Sequence, residues 1–228
     1  MHPIVEVCVE GFDGAKIAVD AGADRLELNA RLDLDGLTPA IEDLIAVRQL
    51  TTIPLIAMLR PHANSFVYDR ETQLSMLRDL ERLLANGADG VAVGGLIESG
   101  EIDTVFMTEL RKHAANKVVV MHRAFDQLRD QASGLEQLID LGINRVLTSG
   151  GAETAEAGME QLRKLVIQSR GRIEILPGAG IRPNNAITIL RTTGCSQLHG
   201  TFKQTLEGQV LPDPVAISLV KHLQVRTD

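Results

Sequence analysis

The sequence predicts an α/β chain folded as a (β/α)8 TIM barrel, one domain over residues 1–228. Three observations predict it. A short motif recurs: Gly22-Ala23-Asp24-Arg25-Leu26, then Gly87-Ala88-Asp89-Gly90-Val91, then Gly142-Ile143-Asn144-Arg145-Val146, and more weakly Gly194-Cys195-Ser196-Gln197-Leu198. The copies lie 65, 55 and 52 residues apart, which is room for two βα units each. Each copy falls where a helix ends on a left-handed Gly and an even-numbered strand begins. The second observation is the strict alternation of residues 4–10, with Val5, Val7 and Val9 on one face and Glu6, Cys8 and Glu10 on the other. The third is that strand after strand ends in polar groups. A flat, doubly wound sheet covered on both sides would need apolar residues on both faces. Inward polar residues on the first, second and fifth strands suit a barrel lumen instead.

The elements follow in order. After the first strand, residues 13–22 read as a helix with Ala15, Ala18 and Gly22 inward. Strand two covers 24–30, with Leu26 and Leu28 outward and Glu27 and Asn29 inward. Thr38 and Pro39 read as the N-cap and first turn of helix two, whose stripe is Ile41, Leu44 and Ile45. Strand three, 54–61, ends on Arg60, and a long loop to Arg70 carries Asn64, Ser65 and Tyr68 as a candidate lid. Leu74, Leu77, Leu80 and Leu84 mark helix three. Strand four is 90–96, Asp103 caps helix four, and Val118-Val119-Val120 opens strand five, a doubly buried run that stops on His122, Arg123 and Asp126. Leu135, Leu138 and Ile139 mark helix five; 145–151 is strand six; Met159, Leu162 and Val166 mark helix six. Strand seven is 174–177, Pro183 opens helix seven, strand eight is 197–200, and a last helix carries Val215, Leu219, Val220 and Leu223.

Bulk properties exclude several functions. A net charge of -7 opposes non-specific nucleic-acid binding, and no Trp with a single Tyr argues against a stacking platform. No apolar run approaches the ~18 residues of a membrane helix. Met1-His2-Pro3 leads straight into the first strand, so no signal peptide is expected. The two cysteines, Cys8 and Cys195, match no zinc or Cys-x-x-Cys spacing, so a reducing cytoplasm is the expected location.

In such a barrel the C-terminal strand ends surround one pocket. Glu10, Asn29, Arg60, His122, Ser149 and His199 are expected there, with Asp126 just above. Polar groups buried without partners cost about 1–3 kcal/mol each, so a mouth this polar is expected to bind something polar. Glu10, Glu27, Arg60, His122, Asp126 and His199 are the candidate catalytic groups, as general acids, bases or charge stabilisers. Ser149-Gly150-Gly151, Gly178-Ala179-Gly180 and His199-Gly200 end the last three strands, where these barrels commonly hold phosphate on backbone N–H groups. Asn29, Ser149, Gly150, Gly151, Gly178, Gly180, Arg182 and Gly200 are therefore candidate contacts for a small anionic ligand. Lys117 precedes strand five and Lys203 lies beyond Gly200, so no lysine is placed for imine chemistry.

Several motifs stand together in an order that resembles the CutC family of copper homeostasis proteins. They are Val5-Glu6-Val7-Cys8-Val9-Glu10, Gly22 through Leu28, Gly36-Leu37-Thr38-Pro39, Arg60-Pro61, His122-Arg123-Ala124-Phe125-Asp126, Leu147 through Gly151 and Pro177-Gly178-Ala179-Gly180. The resemblance runs from about residue 4 to residue 202. It implies a (β/α)8 barrel, a cytoplasmic location, a homo-oligomer and copper(I) bound by two cysteines. One of these falls at Cys8; the position of the other is Asn29 here. Copper(I) is soft and prefers two or three thiolates, so Cys8 with Asn29 is expected to hold it weakly. Cys195 is expected at the barrel bottom, on the order of 15 Å from Cys8. That leaves Met58, His122 and His199 as the other soft or borderline donors. His62-Ala63-Asn64-Ser65 and Thr201-Phe202 also depart from the family's pattern at the mouth. The alternative function is an enzyme acting on a small phosphorylated or carboxylated molecule; a non-catalytic ligand sensor is the third.

Overall fold

The computed structural model describes residues 2–206 and 209–224. Eight parallel strands alternate with helices. They are β1 (Ile4–Glu10), β2 (Arg25–Asn29), β3 (Leu55–Met58), β4 (Gly90–Val93), β5 (Val118–Met121), β6 (Arg145–Thr148), β7 (Glu174–Pro177) and β8 (Gln197–Gly200). Ladders join β7-β6-β5-β4-β3-β2-β1-β8 in that order, so β8 returns to β1 and the sheet curls into a barrel. At the remaining seam, between β7 and β8, Gln197 Nε2 donates to the Ile175 carbonyl at 3.4 Å.

The repeated motif explains how the barrel is stapled. Its third residue reaches across the bottom to the preceding odd strand. Asp24 accepts from the Val5 N–H (2.8 Å), Asp89 from Leu55 (2.9 Å) and Asn144 from Val119 (2.8 Å). The backbone N–H of each donates back to the carbonyl of the same residue. The weak fourth copy puts Ser196 there, and the strand pair it would staple is the one without a ladder.

The alternation read from β1 and β2 holds. Val5, Val7, Val9, Leu26 and Leu28 belong to the cluster between sheet and helices, while Ile56, Met58, Ala92, Val120, Leu147 and Leu176 form a separate cluster inside the barrel. Each fully buried Leu in the outer layer contributes about 1.5–3 kcal/mol. The inner apolar cluster fills only the β3–β7 side. The β1, β2 and β8 side is filled by Glu6, Cys8, Arg25, Glu27, Gln197 and His199, all buried.

The helices are α1 (Gly11–Asp20), α2 (Ile41–Leu50), α3 (Arg70–Ala85), α4 (Thr104–Ala114), α5 (Gln131–Asp140), α6 (Met159–Ser169), α7 (Pro183–Thr193) and α8 (Pro214–Lys221). α1 follows β1 with no linker, because Gly11 adopts φ +63° and turns the chain at once. Asp103 caps α4 as expected, accepting from the Phe106 N–H at 2.9 Å. Asp69 and Asp130 do the same for α3 and α5.

Several sequence expectations need correction. Thr38 does not cap α2; its hydroxyl accepts from the Arg60 N–H at 2.9 Å, tying the second loop to the third strand. α2 buries Leu44 and Val47 rather than Ile45, and α3 buries Gln73, Met76, Leu77, Leu80 and Leu83 rather than Leu74 and Leu84. In α8 the inward residues are Ile217 and Val220; Val215 and Leu219 are exposed. Gly22 is exposed and closes α1 with φ +89° instead of packing inward. An antiparallel hairpin, β9 (Lys203–Leu206) with β10 (Gln209–Pro212), lies between β8 and α8. Its strands are only four residues each, too short for an alternation that would reveal them.

Candidate functional site

The site is assembled by register. Cys8 on β1 faces Glu27 on β2, and Glu6 on β1 faces both Arg25 on β2 and His199 on β8. Alternation sends all five side chains into the lumen. Glu6 lies deepest. It pairs with Arg25, lies 3.9 Å from Arg145 Nη1 and receives the His199 ring nitrogen Nδ1 at 2.7 Å. Arg25 also donates to Gln197 Oε1 at 2.9 Å, and Arg145 to Glu174 at 2.6 Å. Burial works against the Glu6 carboxylate, yet the His199 hydrogen bond and the charges of Arg25, His199 and Arg145 outweigh it and hold its pKa down at about 2.

One layer higher, towards the open end, Cys8 Sγ, a Glu27 carboxylate oxygen and a His199 ring nitrogen all lie within 4.8 Å of one another. His199 Nε2 is 3.9 Å from Glu27 Oε2. Asn29 closes the group from above: its Nδ2 lies 3.2 Å from Cys8 Sγ and 3.0 Å from Glu27 Oε2, and its Oδ1 is buried with no partner. For His199, burial opposes the imidazolium, but the charge of Glu27 and the contact with Glu6 win and raise its pKa. Burial, then the Glu27 charge, pushes the Cys8 thiol well above its ordinary range.

These residues fit a metal of a particular kind. A soft monovalent ion wants two thiolates, and Asn29 stands where a second would. Cys195 cannot join, because it is packed in the outer cluster between sheet and helices. One thiol, one imidazole and one carboxylate form a mixed set suited to borderline ions.

The other expected site residues sit elsewhere and are largely spent. Glu10, on the last rung of β1 opposite Asn29, is exposed and accepts from the N–H groups of Arg31 (3.2 Å) and Leu32 (3.0 Å), which tie it to the second loop. Arg60 is buried and its Nη groups donate to the carbonyls of Leu34, Asp35, Gly36 and Ala63, clamping two loops, while its Nε has no partner among the described residues. Asp126 accepts from Arg123, Thr148, Ser149 and Gly151, so it ties the loop after β5 to the end of β6. Ser149 is fully buried in that loop. The Gly150 N–H donates to Thr148 Oγ1, the Gly151 N–H to Asp126 and the Gly178 N–H to the Thr148 carbonyl, so these three amides are engaged within the protein. The Gly180 carbonyl accepts from Asn185, Gly200 lies beneath the Phe202 ring, and Arg182 is exposed at the start of α7.

His122 is buried against the Phe66 ring, 4.9 Å between centroids. Its Nδ1 accepts from the Ala124 N–H at 3.2 Å, so Nε2 carries the proton, and Nε2 has no partner. Burial, helped by the Arg60 charge, pushes its pKa down to about 3. It is a neutral donor, not a proton shuttle near pH 7.

Sequence reasoning passed over Arg25, Arg145 and Gln197. They occupy the fourth position of the repeat, with Gly90, and Glu27, Ala92, Leu147 and His199 occupy the sixth. These are two sets of four lumen positions from alternate strands, the arrangement that fills such barrels. Reading the repeat by columns would have exposed the charged half of the lumen.

The model of the CutC family matches residues 3–204. The chain belongs to the CutC family. Among curated CutC proteins, that of Treponema denticola is 43% identical over 195 residues, covering 86% of this chain and 79% of the relative. That of Sinorhizobium medicae is 41% identical over 198 residues, with 87% and 80% covered. The crystal structure of the CutC protein of Streptococcus agalactiae, named for copper homeostasis, superposes with a TM-score of 0.84 at 29% identity, covering 87% of this chain and 98% of that one. The family is thus shown along nearly the whole barrel, and its copper connection is carried by name. Among the described residues no helix is long and apolar enough to cross a membrane.

Proposed function

We propose that this CutC protein binds one transition-metal ion at the floor of the barrel mouth, through Cys8, Glu27 and His199, and serves copper homeostasis in the cytoplasm by holding and releasing metal there. The observation that carries the reading is the convergence of a thiol, a carboxylate and an imidazole, all buried, from three adjacent strands. The name of the Streptococcus relative supplies the copper part, and two free, buried cysteines suit a reducing compartment. The test is an anaerobic competition titration against a coloured copper(I) chelator. The parent protein is expected to take up one copper(I) per chain and exchange it readily. Cys8→Ser should abolish that binding, and Asn29→Cys should tighten it by orders of magnitude through a second thiolate on the neighbouring strand, ~4.8 Å away. Binding that survives Cys8→Ser overturns the site.

A second reading is favoured by a different observation. Among the described residues Arg60 Nε, Tyr68 OH and His122 Nε2 are buried donors without partners, and Arg60 and His122 both touch Phe66 beneath the third loop. Unpaired buried donors suit a small phosphorylated or carboxylated ligand. Titration with inorganic phosphate, followed by amide shifts of residues 60–68, tests it; shifts confined to other segments reject it.

A further inference from the structure

From the lumen geometry we infer that the Cys8–Glu27–His199 site is built for a borderline divalent cation of the zinc class, with Asn29 as fourth ligand and Glu6 as outer-shell partner of His199. The inference rests on the metal-binding reading above and specifies its ion.

The first argument is orientation. A metal-bound histidine characteristically donates its other ring N–H to a carboxylate, which fixes the ring and raises its basicity. His199 Nδ1 lies 2.7 Å from Glu6 Oε1, and Nε2 is thereby aimed at Glu27 and Cys8. Glu6 is fixed in turn by Arg25. A histidine serving only as barrel filling needs no such chain.

The second argument is distance. Zinc bond lengths of about 2.0–2.3 Å in a tetrahedron set ligand atoms roughly 3.3–3.6 Å apart. Asn29 Nδ2 sits 3.2 Å from Cys8 Sγ and 3.0 Å from Glu27 Oε2, and His199 Nε2 sits 3.9 Å from Glu27 Oε2. The donor atoms of Cys8, Glu27 and His199 all lie within 4.8 Å of one another, so shifts of about 1 Å bring them to tetrahedral spacing. Half a turn of the Asn29 amide brings its unpartnered Oδ1 to the vertex that Nδ2 now occupies.

The third argument is charge. A thiolate and a carboxylate bring two negative charges into a site where Cys8, Glu27 and His199 are all buried. A divalent cation neutralises them; copper(I) leaves one buried charge uncompensated, which is costly.

The experiment uses the whole chain with zinc(II), cobalt(II) and copper(I) as separate probes. Competition with a chromophoric zinc chelator should give one zinc per chain. Cobalt(II) should show tetrahedral ligand-field bands and a thiolate charge-transfer band that disappears in Cys8→Ser. Glu6→Gln should weaken zinc by roughly 10–100-fold. Glu27→Gln, which keeps the shape, should weaken zinc by more than that factor and copper(I) by less, because the lost carboxylate charge matters more to a divalent ion. Circular dichroism melts confirm that each variant is folded. Cys8-dependent copper(I) binding without zinc or cobalt binding overturns the inference and leaves the metal-binding reading standing. Equal losses for zinc and copper(I) in Glu27→Gln also overturn it. If none of the three ions is held, both fail.

Discussion

At the scale of single residues, His122 shows how context decides a role. By position it is a strand-end histidine in a barrel mouth; by environment it is a neutral hydrogen-bond donor. Folded, it protonates near pH 3; unfolded, near 6.5. Between those values the unfolded chain binds the extra proton, so stability rises with pH, and acid removes it from about pH 6.5 down to about 3. His122→Leu should cost about 1–3 kcal/mol at neutral pH, because the Ala124 N–H loses its acceptor. It should also flatten the acid side of the stability profile, read from urea midpoints at neutral pH and at about pH 4.5. A variant as acid-sensitive as the parent would assign that sensitivity to another group. Arg25 and Glu6 give a second case. Arg25→Leu leaves the Glu6 carboxylate deep in the lumen without its nearest cation, and breaking such a buried pair costs about 3–5 kcal/mol. Thermal or urea unfolding within ±0.5 kcal/mol of the parent would show that water or His199 replaces the arginine.

At the scale of elements, the repeat is a stapling device as much as a helix stop. Asn144→Ala removes the acceptor of the buried Val119 N–H and is expected to lower stability by about 1–3 kcal/mol. Ser196→Ala, the same position in the degenerate copy, should fall within about ±0.5 kcal/mol, since Ser196 is exposed. Denaturant titration of the two variants separates a staple from a mere sequence echo; equal losses would contradict the role assigned to the third repeat position. The helix stripes show why element faces were read less well than element order. A leucine ladder at 74, 77, 80 and 84 and the buried set 73, 76, 77, 80 and 83 differ by a small rotation about the axis of α3. Hydropathy alone does not distinguish them, because Gln73 is inward for its bonds to the Tyr68 carbonyl and Asp103, not for its hydropathy.

At the scale of the whole molecule, the barrel has two unlike interiors. The β3–β7 side of the lumen is closed by Ile56, Met58, Ala92, Val120, Leu147 and Leu176. The β1, β2 and β8 side is closed by a charged network whose upper end is the candidate metal site. A purely structural barrel would use branched apolar side chains all round. Retaining glutamates, arginines and a histidine in half of the lumen sacrifices packing energy, and it makes sense when something binds above them. The copper(I), zinc(II) and cobalt(II) titrations test that division directly. They should register on β1, β2 and β8 and leave the apolar half unchanged.

The sequence by itself determined the strand order, the eightfold alternation and the inward placement of Cys8, Glu27 and Asn29. Those follow from local rules, since period-two alternation and a recurring helix stop act within a few residues of chain. Only the tertiary structure decided that Glu10, Asp126 and the Nη groups of Arg60 are engaged by loops, and that the amides of Gly150, Gly151 and Gly178 are too. It also decided that His199, 193 residues from Glu6 in sequence, completes a cluster with Cys8 and Glu27. Pairing across a barrel depends on which strands become neighbours and with what stagger. That is set by closure of the sheet as a whole, and no local stretch of the chain encodes it.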